Sequence, residues 1–309
     1  MTTIDGDARV RRGPGIRAVV VFAIVPALAL YLLFVVFPIA QAVHYSFFRW
    51  NGLTALNDFV GLANYQRALA DPVFRGAIAH NLTIILLSLT LQIPFALGLA
   101  LMLNRRFRGR AVLRLIFFAP YVIAEVITGV VWTLILQPNG LADGILTTVG
   151  LGDLYQPWLA DPSTVLLALF VVISWKYFGF HMILLLAGLQ GIPAELDEAA
   201  AIDGATRGQT IRYVTLPLLG PTIRVSIFLS VIGALQLFDL VWVTTGGGPI
   251  NASNTMATYM FDWGFRRFQV GYGSAVATIL FVLSLIVALA YQRFVMRRDV
   301  EGAITEGGR

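Results

Sequence analysis

The chain has 309 residues, 58% hydrophobic and 13% charged, with a mean hydropathy of +0.78. A water-soluble domain of this length has too little interior to hide so much apolar surface, so the class is integral membrane protein. Cysteine is absent, which excludes disulfides and thiolate metal sites, and the net charge of +5 must be located before it can name a partner.

A bilayer takes about 20 mostly apolar residues to cross. Six segments qualify, at residues 18–40, 78–103, 112–136, 163–188, 221–245 and 274–295. They predict an all-α membrane protein, with one six-helix domain over 18–295 between terminal tails 1–17 and 296–309. The long apolar run after Arg17 reads as a retained anchor and not as a signal peptide. The basic residues lie mostly before the first span, in the second-to-third and fourth-to-fifth connections, and after the sixth span. Arg49, Arg67, Arg75, Arg266 and Arg267 fall on the other side, and Lys176 lies inside a span. The positive-inside rule then puts both termini and the 190–220 loop in the cytoplasm. Orientation in membrane lipid accounts for the positive charge, and no nucleic-acid partner is expected.

The loop at 190–220 is polar and helix-forming, although it separates two apolar spans. Ile192-Pro193 suits a helix start, and Ala194 to Asp203 is rich in Ala, Leu and Glu, which are good helix formers. Gly204 is expected to stop that helix in a left-handed cap. A second helix is predicted from Thr206, its N-cap, to Val214, ending ahead of Pro217. In the first helix Leu196, Ala199 and Ala200 share a narrow face of small residues, and Glu198 offers a charge for an arginine on a partner.

The chemistry of ATP hydrolysis has no home here. A phosphate-binding loop of the Walker type needs Gly-Lys-Ser/Thr, and the only lysine, Lys176, follows Trp175 within a span. Thr244-Thr245-Gly246-Gly247-Gly248-Pro249 is glycine-rich but carries no lysine. Three scattered histidines (His44, His80, His181) without an HExxH pattern argue against a metal or nucleophilic centre.

Glu198-Ala199-Ala200, three residues, Gly204, nine residues, Val214, one residue, then Leu216-Pro217 resembles the "EAA" loop of importer permeases in the ATP-binding-cassette family. The stretch Asp58-Phe59-Val60-Gly61-Leu62-Ala63-Asn64-Tyr65 is similar to one in the carbohydrate permeases of that family. So is Thr245-Gly246-Gly247-Gly248-Pro249 with Tyr259, Phe265 and Gly271-Tyr272-Gly273-Ser274-Ala275. The resemblance is to the first permease subunit of a maltose-type or glycerol-3-phosphate-type, binding-protein-dependent importer. It implies a type I importer transmembrane domain, in which Glu198, Ala199, Ala200, Asp203, Gly204, Leu216 and Pro217 couple to a separate ATPase dimer. It also implies a second permease and an extracytoplasmic sugar-binding protein in a bacterial inner membrane. No cofactor is expected in this chain, ATP and Mg being held by the ATPase.

Ionisable groups inside spans are costly and mark function. Glu125 is expected near the middle of span three and Lys176 near the middle of span four, with Gln236 and Asp239 on the outer half of span five. Sugar hydroxyls are held by carboxylates, amides and lysine, with aromatic rings against the apolar face. By resemblance, sugar contacts fall at Lys176, Tyr177, Phe180, Ser230, Ala234 and Leu237. The alternatives at this stage are a structural Glu125–Lys176 ion pair, a core role for His181, a phosphorylated or other non-sugar solute, and an ion-coupled carrier using Glu125, Lys176 and Asp239.

Overall fold

The computed structural model describes residues 16–105 and 107–296, with side chains from residue 24 onward. The expected tails 1–17 and 296–309 therefore lie almost wholly outside the described residues, as do Arg106, Arg297, Arg298 and Arg309. In chain order the helices are α1 (Ile24–Tyr45, within a helix that starts at Ile16), α2 (Ala63–Ala70), α3 (Pro72–Leu103) and α4 (Arg110–Val122). There follow α5 (Glu125–Leu136), α6 (Leu141–Thr148), α7 (Val165–Gln190) and α8 (Ala194–Ile202). The last four are α9 (Arg207–Leu235), α10 (Asp239–Thr244), α11 (Met256–Phe261) and α12 (Val270–Met296). Five of them, α1, α3, α7, α9 and α12, are long and apolar enough to cross a membrane, and α4 with α5 makes a sixth as a bent pair. The all-α, six-span architecture is the one the hydropathy predicts.

Three boundaries differ from expectation. Span three is not continuous: α4 meets the stretch Glu125–Thr148, α5 with α6, at 99°. Pro120 removes a backbone donor inside α4, and Ile123 and Ala124 then turn extended, with ψ of 135° and 143°. Glu125 is consequently the first residue of α5, and not a mid-helix residue. Span five also stops early, at Leu235, and restarts at Asp239 as the short α10, so Gln236 and Asp239 flank a break. Finally, the helix predicted over Thr206 to Val214 does not end before Pro217 but runs on to Leu235.

That last difference has a local cause which recurs. Pro38, Pro94 and Pro217 each lie two residues beyond a π-helical turn, at Leu32–Val36, Ser88–Gln92 and Ile211–Thr215. A helical proline has no N–H and its ring collides with the carbonyl four residues back. Those carbonyls belong to Phe34, Thr90 and Tyr213, the middle residue of each π-turn. Widening the turn moves the obstructing carbonyl aside, and the residue before each proline bonds five residues back. The helices bend at these points without breaking.

α7 is the spine of the bundle. Toward its start Val165, Leu169, Val172 and Ile173 pack with Ile84 of α3 and with Ala234, Leu237, Leu240 and Val241. Toward its end Met182, Leu185, Leu186 and Leu189 pack with Ala96, Ala100 and Leu103 of α3 and Leu219 of α9. Gly179 lets α4 approach so closely that an added Cβ would lie 1.9 Å from the Phe117 carbonyl oxygen. Small residues at such crossings are how helices gain contact where lipid supplies no hydrophobic drive. By contrast α1 buries none of its side chains, and its Leu30, Leu33 and Phe34 face outward as a lipid-facing helix requires.

Candidate functional site

Two places gather the residues singled out by the sequence. The first is the loop from α7 to α9. Pro193 precedes α8, and Asp203 and Gly204 close it. Gly204 has φ +75°, its N–H bonds the Ala201 carbonyl at 3.1 Å, and the Ala205 N–H bonds Ala200 at 2.9 Å. This is the paired 6→1 and 5→2 pattern that ends a helix through a left-handed residue. Thr206 then starts α9 with a capping box, its backbone N–H donating to Gln209 Oε1 at 2.7 Å. Between these two caps Glu198, Ala199 and Asp203 are exposed and Ala200 is half-buried, while Leu216 is half-buried and Pro217 exposed one π-turn further on. A groove of about 430 Å³ runs alongside, lined among others by Leu101, Asn104 and Arg105 beyond and on α3 and by Asp197 and Arg207. Ile202, which the sequence reading passed over, is 87% exposed at the tip of α8.

The second place is a cavity of about 250 Å³ near the middle of the bundle. α3 contributes Ser88 and Gln92, α4 Tyr121, α7 Tyr177, Phe180 and His181, and α9 Ser230, with Ala234 and Leu237 closing the apolar part. Of the expected substrate-path residues, Tyr177, Phe180, Ser230, Ala234 and Leu237 line it. Ser88, Gln92 and Tyr121 were missed, because nothing in an apolar helix announces which polar side chain faces a neighbour. The Tyr121 and Phe180 rings stack at 4.8 Å with planes 22° apart. His181 Nδ1 is 2.8 Å from Ser226 Oγ, so this histidine is satisfied within the core.

Glu125 and Lys176 stand behind this lining and do not bond to each other in the first instance. The Tyr177 hydroxyl donates to Glu125 Oε1. Lys176, 3% exposed, donates from Nζ to the Ile123 carbonyl at 2.5 Å and the Tyr121 carbonyl at 3.5 Å. Both carbonyls are freed by the α4–α5 break, so α7 supplies the donor that the broken helix lacks. Gln236 and Asp239 are exposed beside the second break and lie outside the cavity lining. The Trp132 and Trp175 rings meet edge to face at 5.5 Å, while Phe238 and Trp242 stack at 5.7 Å.

At the end of the bundle opposite α8, the remaining sequence motifs are structural. Asn64 donates to the Ser46 and Phe48 carbonyls at 2.9 Å, tying α2 to the chain after α1. Asp71 caps α3 through Val73 N–H at 2.7 Å and accepts from the Tyr259 hydroxyl, which also meets Tyr272 at 2.8 Å. Burial, helped by these two hydrogen bonds, pushes the Tyr259 phenol above its ordinary range. Asn81 bridges the break after α9, donating to the Ala234 carbonyl at 2.6 Å and accepting from Met256 N–H at 3.0 Å. Gly246 and Gly247 adopt φ of 60° and 88° in the turn after α10.

The chain as a whole is similar to known transport proteins. Residues 92–300 match the family model described as binding-protein-dependent transport system inner membrane component. A probable ATP-binding-cassette transporter permease of Pyrococcus horikoshii is 34% identical over 283 residues, covering 91% of this chain and 96% of that one. The trehalose/maltose transport system permease MalF of Thermococcus litoralis is 36% identical over 280 residues, covering 89% and 93%. The crystal structure of a bacterial alginate ATP-binding-cassette transporter, in complex with its alginate pentasaccharide-bound periplasmic protein, superimposes with a TM-score of 0.79 at 25% identity. That match covers 91% of this chain and 95% of the other. With two thirds of its length under one family model and its whole six-span fold shared, the chain belongs to the binding-protein-dependent transport system inner membrane components, the permeases of ATP-binding-cassette transporters.

Proposed function

We propose that this chain is the permease subunit of an ATP-driven, binding-protein-dependent sugar importer. It lines the translocation path together with a second permease, and it has no ATPase activity of its own. A separate ATPase dimer, holding ATP and Mg, grips α8 through Glu198, Ala199, Ala200, Asp203 and Gly204, with Leu216 and Pro217 carrying the motion into α9. α8 and both termini face the cytoplasm, and an extracytoplasmic sugar-binding protein delivers to the opposite end. Nucleotide binding shifts the population between inward- and outward-open states because the ATPase pair binds ATP differently in each.

The observation that carries the sugar assignment is the chemistry of the mid-span cavity. Its lining combines hydroxyls, an amide and aromatic rings, and includes no Asp, Glu, Lys or Arg. Such a surface suits neutral hydroxyls and the apolar face of a sugar ring. A phosphate dianion wants several cationic donors, and the nearby Lys176 is already spent on backbone carbonyls. At about 250 Å³ the cavity is smaller than the roughly 300–1,000 Å³ of ordinary ligand pockets, which supports a second wall contributed by the other permease. The trehalose/maltose relative points to the same neutral class, while the transporter of the acidic polysaccharide alginate supports a saccharide more broadly.

The test is purification of the tagged native protein in mild detergent, with mass spectrometry of what accompanies it. An ATPase, a second six-span permease and a sugar-binding protein are expected. A chain that purifies alone or as a homodimer, and uptake that survives ATP depletion but collapses with an uncoupler, would overturn the proposal in favour of an ion-coupled carrier.

A further inference from the structure

Gln92 is the polar side chain in this protein with the least reason to be where it is. It lies inside α3, is 4% exposed, and its Nε2 has no hydrogen-bond partner. Three other buried polar side chains in the spans are satisfied: Asn81 by the Ala234 carbonyl and Met256 N–H, Lys176 by two carbonyls, His181 by Ser226. Four further buried side-chain atoms lack a partner among the described residues, on Arg114, Thr128, Ser174 and Ser284. None of those four residues lines the mid-span cavity, whereas Gln92 does. A buried amide without a partner is costly in a medium that offers no water. It persists where something else supplies the acceptor.

The local sequence explains how the side chain is held there. The widened turn Ser88–Gln92 relieves the clash with Pro94, and both Ser88 and Gln92 of that turn lie on the cavity wall. Tyr121, Tyr177 and Phe180 line the same space from α4 and α7, so an amide donor and aromatic rings are available to one bound molecule.

We propose that the Gln92 side-chain amide donates a hydrogen bond to a hydroxyl of the transported sugar, and that this contact from α3 helps to select which sugars pass. The proposal rests on the sugar-import reading above, and the experiment separates the two. The complete assembly (this chain, its second permease, ATPase and binding protein) is reconstituted in proteoliposomes. Initial rates well below saturation are measured for labelled maltose, trehalose and diacetylchitobiose and for monodeoxy derivatives of each. Two variants are compared with wild type: Gln92→Met, which is apolar and of similar length, and Gln92→Leu, which is apolar and shorter.

The expected result is about a tenfold fall for a transported parent sugar. One of its monodeoxy derivatives, lacking the hydroxyl that Gln92 holds, should be unaffected by the substitution. Equal slowing of parent and all derivatives, or no change in any, would overturn the contact. Failure of both variants to assemble would assign Gln92 to helix packing and overturn it equally. A wild-type assembly that moves none of these sugars would overturn the sugar reading itself, and the contact with it.

Discussion

The loop around α8 and the break between α4 and α5 are both short interruptions between apolar helices, yet they are built in opposite ways. Around α8 every stop and start is made by neighbours in sequence: Gly204 with Ala201, Ala205 with Ala200, Thr206 with Gln209. At the α4–α5 break the freed carbonyls of Tyr121 and Ile123 are met by Lys176, more than fifty residues away on α7. The first region keeps its shape by itself and can be lent to a partner. The second exists only because the bundle is assembled, and it aims Tyr121 and Glu125 toward the middle of the protein.

Substitutions can break or sharpen this contrast. The largest loss of stability is expected from Gly179→Leu, since any side chain there meets the Phe117 backbone directly. More than about 4 kcal/mol is expected for such overpacking without room to relax, read as loss of the monodisperse assembly in size-exclusion chromatography. A folded, active Gly179→Leu assembly would mean that α4 does not rest on α7 as described. Next comes Lys176→Met, which leaves the two carbonyls freed at the break without their donor and should cost about 2 kcal/mol in thermal unfolding of the purified assembly. Unchanged unfolding in that variant would show that the break needs no support from α7.

Smaller effects belong to the α8 region. Gly204→Ala meets no steric obstacle, as nothing lies within 4 Å of the added Cβ, and only the left-handed φ of +75° opposes it. About 1 kcal/mol is expected, with lowered coupling of ATP hydrolysis to uptake. A Gly204→Ala loss as large as that of Lys176→Met would place α8 within the cooperative core. The smallest effect on the fold is expected from Glu198→Arg, at an exposed position without a partner to lose among the described residues. Its unfolding should match wild type, while recovery of the ATPase on co-purification and sugar uptake should fall more than tenfold. Normal uptake by this variant would remove Glu198 from the coupling surface.

How far each region was legible follows from the range of its interactions. The caps at Gly204 and Thr206 were readable because their chemistry is complete within six residues. The end of the second loop helix was not, since proline reads as a stop and the π-turn at Ile211–Thr215 converts it into a bend. The exposure of Ile202 was invisible because it depends on what α8 does not pack against. In the spans, Tyr177, Phe180 and Ser230 were found through the family pattern, whereas Ser88, Gln92 and Tyr121 carry no periodic signal in helices that are apolar on every side.

By itself the sequence determined the all-α membrane class, the six crossings and the polar capped helix at Glu198. Each of these rests on composition or on contacts between near neighbours, which the chain carries wherever it goes. Only the tertiary structure decided where spans three and five break, which carbonyls Lys176 serves, and which polar side chains meet in the cavity. Inside a bilayer a broken helix is tolerated only if other helices satisfy its backbone. The location of a break is therefore a property of the packed bundle, and so is the site that the break creates.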